Sequence, residues 1–434
     1  MEEQLNSFIE SLTPYLIRKR RELHEHPEVA WTEYVTTYKL GQELEQLGYQ
    51  LAVGKEALSS SERLGTPSLE ESFQNEERAR QNGVSEEWLE KMQGGHTGLV
   101  AQMDTGRSGK HIVMRFDIDA LPIKEAKDQD HLPFKEGFHS KCAGVMHACG
   151  HDGHAAIGLG VAHFLHRYKE ELTGRFTLIF QPGEEGGRGA KPMVEKGWLD
   201  DADFFISGHI GIHSLPVGEI SATTTKFLAS TKINVIYRGK SAHSGLEPNE
   251  GKNALLAAAS ASLHLSGITR HADGATRINI GKLEAGSGRN IVADYARMEI
   301  ETRGETTALN EGYMVKEALR IIEASAAIYD VKVEIDIVGT APSAECSQEW
   351  VEIVQKACSS SKSVTKVIPT LPLGASEDVT FMLERVKNKG GIATYMVFGT
   401  PLPAGHHHPR FDFDEKVLPT AVESISRIVL EVLK

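Results

Sequence analysis

The chain is poor in cysteine. Its 434 residues contain four, Cys142, Cys149, Cys346 and Cys358. Their spacing forms no disulfide framework, so a reducing, cytoplasmic setting is expected. There is no apolar run of the ~18 residues that a membrane helix requires. The start, MEEQLNSFIESL, has no basic opening and no apolar stretch behind it, so no secretory signal is expected. Positive charge is also in deficit. The 47 Lys and Arg against 60 Asp and Glu leave a net charge of −13, which argues against nucleic acid and anionic membrane as main partners. Internal repeats and low-complexity tracts are missing. What is left, 40% hydrophobic and 25% charged residues, is the balance of an ordinary globular protein, and the length suits two domains.

What the chain does have is chemistry concentrated in a few places. The densest is Cys142–His154, CAGVMHACGHDGH, directly before the apolar-periodic run 155–165. Cys149 and His151 stand one residue apart at the entry to an expected helix. A thiolate and an imidazole there can face one ion, and a helix N-terminus favours the thiolate. Alone, such a pair reads as a polar helix-entry loop. Short strands are expected at 98–103, 111–116, 172–181, 202–206 and 394–398, with helical runs between them, which is the pattern of a doubly wound α/β sheet. Four of these strands deliver ligand chemistry at their C-terminal ends: Asp117 and Asp119, then Glu184 and Glu185, then His209, then His406–His408. Open α/β sheets bind ligands at the carboxyl ends of their strands. Any one of these groups reads as a solvated loop, but together they argue for one site. Its mix of Cys, His and carboxylate suits Zn²⁺, Mn²⁺ or Co²⁺ rather than Ca²⁺ or Mg²⁺. The ligands outnumber what one tetrahedral ion needs, so two divalent ions sharing a bridging group are expected.

The remaining segments frame that site. Helices are expected at 8–23 and up to Leu47. His24 and His26 between them read as surface or packing histidines, and Glu33 as a pocket-wall candidate. Residues 58–95, polar and bounded by glycine, read as a mostly helical insertion, either a cap or an interface. From 223 to 338 the pattern becomes strand, helix, two strands, helix, strand, the βαββαβ order of a ferredoxin-like layer.

The segments RFDIDALP, MHACGHDGH, PGEEGGRGA, GHIG, GKSAHSGLEPNEGKNA and GHHHPRFDFDE resemble the co-catalytic metallopeptidase family of aminoacylases and carboxypeptidases. They are most similar to its amidohydrolase branch, with hippurate hydrolases and indole-acetyl-amino-acid hydrolases. The length, the insertion and the segments GSGRNIV and GASEDVT resemble the aminobenzoyl-glutamate-cleaving members of that branch. The resemblance implies a catalytic domain in two parts, 1–222 and 339–434, around an inserted lid and dimerisation domain, 223–338. It implies Glu184 as general base, Asp119 as orienting carboxylate, and Cys149, His151, Glu185, His209 and His407 as ligands, with His406 the alternative to His407. It implies His243 as an oxyanion donor, often from a neighbouring subunit, and Asn290 and Arg303 on the substrate carboxylate; a lid salt bridge is the plain alternative for Arg303. The expected activity is metal-dependent hydrolysis of an N-acyl amino acid, of the aminobenzoyl-glutamate type and releasing glutamate, by a homodimer or a heteromer with a related subunit. The alternatives are an N-acetyl or N-carbamoyl amino-acid hydrolase, or a metal-holding subunit that needs a partner.

Overall fold

The computed structural model describes residues 2–434. Its strands are β1 (Gln50–Val53), β2 (Leu99–Asp104), β3 (His111–Asp117), β4 (Arg175–Gln181), β5 (Phe204–Ser214), β6 (Glu219–Thr225), β7 (Ala229–Arg238), β8 (Thr276–Ala285), β9 (Tyr295–Gly304), β10 (Lys332–Ala341), β11 (Lys366–Pro372) and β12 (Ile392–Thr400). The chain divides into two compact units. One holds the described residues up to Thr225 with Glu345–Leu373 and Phe381–Lys434; the other holds Lys226–Ala344 and Gly374–Thr380. The short segment Gly374–Thr380 is tied to the second unit by Leu228 N–H on the Ala375 carbonyl (2.9 Å) and by its own Gly374 N–H on the Lys226 carbonyl (3.2 Å).

The first unit is built on one mixed sheet, in the order β1-β2-β4-β3-β5-β12-β6-β11. Its centre, β4-β3-β5-β12, is parallel. β3, HIVMRFD, is buried along its whole length, as a strand covered on both faces must be. Helix His151–Arg167 packs on β3 and against helices Glu2–Glu25 and Val417–Val432. Gly158 makes that approach possible, since a Cβ there would stand 2.7 Å from ring carbons of Phe116 and Phe180.

Three strands escaped the sequence pattern: β1, β6 and β11. β6, EISATTT, is rich in hydroxyl residues. β11, KVIPTLP, carries two prolines and lies at the sheet edge, where a missing N–H is tolerated. The strand expected at 202–206 runs on to Ser214, so His209 lies within β5 rather than beyond its end. Gly208 and Gly211 had broken the apolar pattern. Gly208 is required by packing, because a Cβ there would meet Phe398 Cε2 at 2.8 Å. In the insertion, helix Leu69–Gln81 starts at a capping box, with Ser68 N–H on Glu71 Oε2 (2.9 Å) and Glu71 N–H on Ser68 Oγ (3.2 Å).

The second unit has an antiparallel sheet ordered β10-β7-β9-β8, with helices Ala254–Ser266 and Lys316–Ile328 packed together over it. The first and third strands of the βαββαβ series are central, the ferredoxin-like order. Ile233, Val235, Tyr237, Ala257, Ala261, Met298 and Ile322 fill its core. The small alanines let the helix lie close to the strands.

His24 is not a surface residue. It is fully buried, with Nδ1 2.8 Å from Asp152 Oδ2 and Nε2 2.9 Å from Glu125 Oε1. Arg20, equally buried, bonds Asp152 (2.8 Å) and Asp412 (2.6 Å). Burial opposes charge on the His24 ring, but the bonds to Asp152 and Glu125 outweigh it and raise its pKa to about 9. A folded pKa raised from 6.5 gives stability that is complete below pH ~6.5 and is lost as pH climbs through ~9, up to about 3 kcal/mol. Melting curves of metal-free protein should therefore show the stability deficit of His24→Gln shrinking between pH 6.5 and 9.5. A deficit independent of pH means that the ring is neutral.

Candidate metal centre

The end of β3 organises the site. The Asp119 carboxylate accepts the backbone N–H of Glu184 on Oδ1 (3.0 Å) and of Glu185 on Oδ2 (2.9 Å), while its own carbonyl accepts from His151 Nδ1 (2.8 Å). One residue just after β3 thus fixes the turn after β4 and the ring at the head of helix His151–Arg167. The turn closes on itself through Gly187 N–H to the Glu184 carbonyl (2.8 Å) and Gly189 N–H to the Gly183 carbonyl (2.9 Å). Gly183, Gly186 and Gly187 take φ of 59°, 91° and 73°, which a side chain would oppose.

Two histidine rings are held so that one lone pair is left over. His151 donates from Nδ1 to the Asp119 carbonyl, and its Nε2 is buried without a hydrogen bond. His209 donates from Nδ1 to the Ile210 carbonyl (2.7 Å), and its Nε2 lies 3.5 Å from Cys149 Sγ. Pinning Nδ1 on a carbonyl selects the tautomer whose Nε2 can bind a cation. The ligand atoms of Cys149, His151 and His209 lie within 4.8 Å of one another. The same holds for Cys149, Glu185 and His407, and for His151, Glu184 and Glu185. Cys149 belongs to the first two groups. Glu184 Oε2 is 3.9 Å from His151 Nε2.

The neighbouring His406 and His407 part company here. His406 Nε2 accepts the Ile212 N–H (2.9 Å), so its proton is on Nδ1, which faces Cys149 Sγ at 3.6 Å. It has no lone pair to offer. His407, at φ 62°, brings Nε2 to 3.2 Å from Glu185 Oε1, an oxygen with no hydrogen bond of its own. A helix-end thiolate was expected at Cys149. Instead burial, and then the Glu185 charge, push its thiol pKa up; the protein alone does not ionise it. Burial also disfavours charge on His151, yet Asp117, Asp119 and Cys149 raise its pKa well above the usual histidine value. The surroundings are strongly negative and suit a cation better than a proton-bearing ring. Orphaned lone pairs on His151 and Glu185, and a thiol that only a positive charge would ionise, fit a divalent metal.

Asp117 is not among the free ligands. Its Oδ2 takes Arg115 Nη1 (2.7 Å) and its Oδ1 takes His154 Nδ1, whose Nε2 accepts the Ile210 N–H (2.9 Å). His154, unremarked in the sequence, is thereby a brace between β3 and β5. Glu33 is buried rather than a wall residue. It accepts Thr97 Oγ1 (2.6 Å) and the Gly183 N–H (2.8 Å), so it braces the glutamate turn, and burial with the nearby Asp119 charge pushes its pKa up to about 8.

The second unit divides its candidates. His243 and Asn290 come together, with His243 bridging Ile291 and Ser244 N–H on the Asn290 carbonyl (3.0 Å). His243 Nδ1 accepts the N–H groups of Gly245 (3.1 Å) and Leu246 (3.2 Å), which leaves the ring proton on Nε2. Arg303 stands elsewhere, near the other end of β9, paired twice with Glu301 at 3.0 and 3.1 Å. From Tyr295 to Arg303 the strand covers roughly 27 Å, so Arg303 is not beside Asn290. β9 begins at Tyr295, past the turn that carries Asn290.

A sequence profile described as peptidase family M20/M25/M40 matches residues 113–431. The chain is 45% identical to one of the subunits of p-aminobenzoyl-glutamate hydrolase from Escherichia coli (strain K12), over 99% of its own length and 98% of that protein. It is 44% identical to indole-3-acetyl-aspartic acid hydrolase of Enterobacter agglomerans, covering 98% of each. The crystal structure of an aminobenzoyl-glutamate utilization protein from Klebsiella pneumoniae superimposes with a TM-score of 0.83 at 38% identity, covering 98% of both chains. The chain is therefore a metal-dependent amide hydrolase and belongs to the M20/M25/M40 peptidase family.

Proposed function

We propose that this protein hydrolyses the amide bond of an N-acyl dicarboxylic amino acid, with an aminobenzoyl-glutamate-type substrate as the first choice, at a centre of two divalent ions bridged by Cys149. The observation that carries the reading is the sharing of Cys149 between two groups of three potential ligands, Cys149–His151–His209 and Cys149–Glu185–His407. Mn²⁺ or Zn²⁺ suits this donor set, with Co²⁺ as a further candidate. The relatives named for aminobenzoyl-glutamate and for indole-acetyl-aspartate motivate the dicarboxylic leaving group.

Bound ions there would lower the pKa of a water toward neutrality and polarise the amide carbonyl. Glu184, set by Asp119 beside His151, takes the proton of the attacking water and returns it to the leaving nitrogen as the C–N bond breaks. Asp119 keeps the Glu184–Glu185 turn and the His151 ring in register. His243, with its proton on Nε2, donates to the oxyanion. Asn290 and Arg303 bind the α-carboxylate, and Arg303 releases Glu301 to do so. Arg303 and the His243–Asn290 pair are separated by most of β9, farther than a small substrate spans, so one site draws them from two chains. That supports a homodimer, or a heteromer with a related chain, since the Escherichia coli relative is itself named as one subunit of its hydrolase.

Assay of metal-loaded protein against acyl-glutamate, acyl-aspartate, N-acetyl and N-carbamoyl amino acids tests this reading. Preference for the acetyl or carbamoyl compounds overturns the substrate assignment. Arg303→Met should raise KM for acyl-glutamate ~10–100-fold, the worth of a charged hydrogen-bond pair. Replacing the substrate α-carboxylate by its amide should cost the wild type a similar factor and the variant little more. Losses that simply multiply leave Arg303 to its pairing with Glu301.

A further inference from the structure

Most guanidinium groups near the metal centre are spoken for by carboxylates. Arg20 has Asp152 and Asp412, Arg78 has Glu28, and Arg115 has Asp117. Arg188 does not. It follows Glu184 and Glu185 by four and three residues in the same closed turn, where its own N–H bonds the Gly183 carbonyl (3.2 Å). Among the described residues its side chain makes one hydrogen bond, a long one of 3.4 Å from Nη1 to the Gly65 carbonyl, and its Nε is buried with no partner. Space for this side chain is kept by Gly186, because a Cβ there would come within 2.8 Å of Arg188 Nε.

The insertion builds the wall behind it. Trp31 is fully buried at φ 66°, an unusual backbone state for a bulky residue. Its indole N–H bonds the Leu64 carbonyl (2.8 Å), and the Arg63 guanidinium lies 4.5 Å over its ring. A Cβ on Gly183 would touch both Trp31 Cε2 and Arg188 Cβ at 3.7 Å. Arg63 spends its Nη2 on the carbonyls of Gly94 (2.9 Å) and Gly95 (2.8 Å). It is thereby held as a second fixed positive charge on this side of the turn, with no carboxylate in ion-pair contact among the described residues.

We propose that Arg188, backed by the Trp31–Arg63 wall of the insertion, binds the side-chain carboxylate of the leaving amino acid and so selects glutamate or aspartate over neutral residues. The inference rests on the amide-hydrolase reading given above. A leaving group with a second carboxylate must shed water around that charge to enter, so a fixed cation is needed to receive it. The turn that carries Glu184 is the side from which the leaving nitrogen receives its proton. A cation on that turn meets the leaving group, not the acyl group. A guanidinium with unused donors is suited to a carboxylate, which it can take with two parallel bonds. Its long side chain accommodates acids that differ by one methylene.

The test compares wild type with Arg188→Met and Arg188→Lys in the full-length, metal-loaded protein, using two readouts. Calorimetric titration with free L-glutamate and L-glutamine reads binding without turnover. The kcat/KM ratio for an acyl-glutamate over the matching acyl-glutamine reads discrimination. The wild type should favour the acid in both, and Arg188→Met should reduce the preference on the order of 10–100-fold. Arg188→Lys, which keeps the charge but not the fork, should fall in between and guards against misfolding of the methionine variant. An unchanged ratio in both variants, or a wild type that treats acid and amide alike, overturns the role of Arg188. A wild type that binds glutamate through Arg188 but cleaves no acyl amino acid leaves the subsite standing and overturns the hydrolase reading instead.

Discussion

Glu184→Gln is expected to keep its metal and lose its turnover, with kcat lowered by ~10²–10⁴-fold as for other general acid–base groups. The loss should lie at the upper end, because one carboxylate serves both proton transfers. Gln has nearly the same shape but cannot accept a proton and return it. The backbone of residue 184 is held by the Asp119 carboxylate, so the turn should survive the substitution. Glu185, whose backbone bonds the other Asp119 oxygen, should stay in place as well. Metal content and melting temperature should therefore match the wild type while kcat falls and KM changes little. Single-turnover kinetics on metal-loaded protein make the check. A near-normal kcat would move the base elsewhere, and Asp119→Ala would then be the variant to examine. That second substitution should behave differently in any case. Removing Asp119 frees both glutamate N–H groups and leaves a buried turn unsatisfied, so it should cost stability and metal affinity together.

The candidate site was legible in the sequence wherever a carboxylate followed a clean apolar strand. Asp119 and the Glu184–Glu185 pair stand after β3 and β4, and both strands are buried hydrophobic runs that announce themselves. His209 was harder to place, since glycines on both sides of it hide the continuation of β5. The bracing roles of His154 and Glu33 could not be read. Their roles come from hydrogen bonds to residues 37 and 150 positions away, Asp117 and Gly183, and no local pattern encodes such a partner. His24 could be read only as a surface or a packing histidine for the same reason, because a histidine between two buried carboxylates looks in sequence like any helix-end histidine. The pattern of residues 223–338 revealed strands and helices but not register. The distance of Arg303 from Asn290 follows from the rise along β9 itself, whereas its neighbours, Ser230 on β7 and Arg277 on β8, are set by pairing across the sheet.

Cys149→Ala is expected to abolish the binding of two ions. In the native chain the thiol stands 3.5 Å from His209 Nε2 and shares a ligand group with Glu185 and His407. Its removal takes a donor from both groups at once, leaving His151 with His209 on one side and Glu185 with His407 on the other. Two-ligand remnants hold a transition metal poorly, and affinity should fall by more than the ~10–100-fold typical of losing an outer-shell partner. Elemental analysis after reconstitution should find two ions per wild-type chain and at most one in the variant. The pH dependence adds an independent reading. Burial and Glu185 keep the Cys149 thiol protonated in the metal-free protein, so metal uptake must expel that proton. Wild-type affinity should then climb with pH by one proton more than the affinity of Cys149→Ala does. Competition with a chelator between pH 6 and 8 measures both slopes. Two ions retained in the alanine variant, with the same slope as wild type, would remove Cys149 from the bridge and return it to the role of a buried thiol packed beside His406.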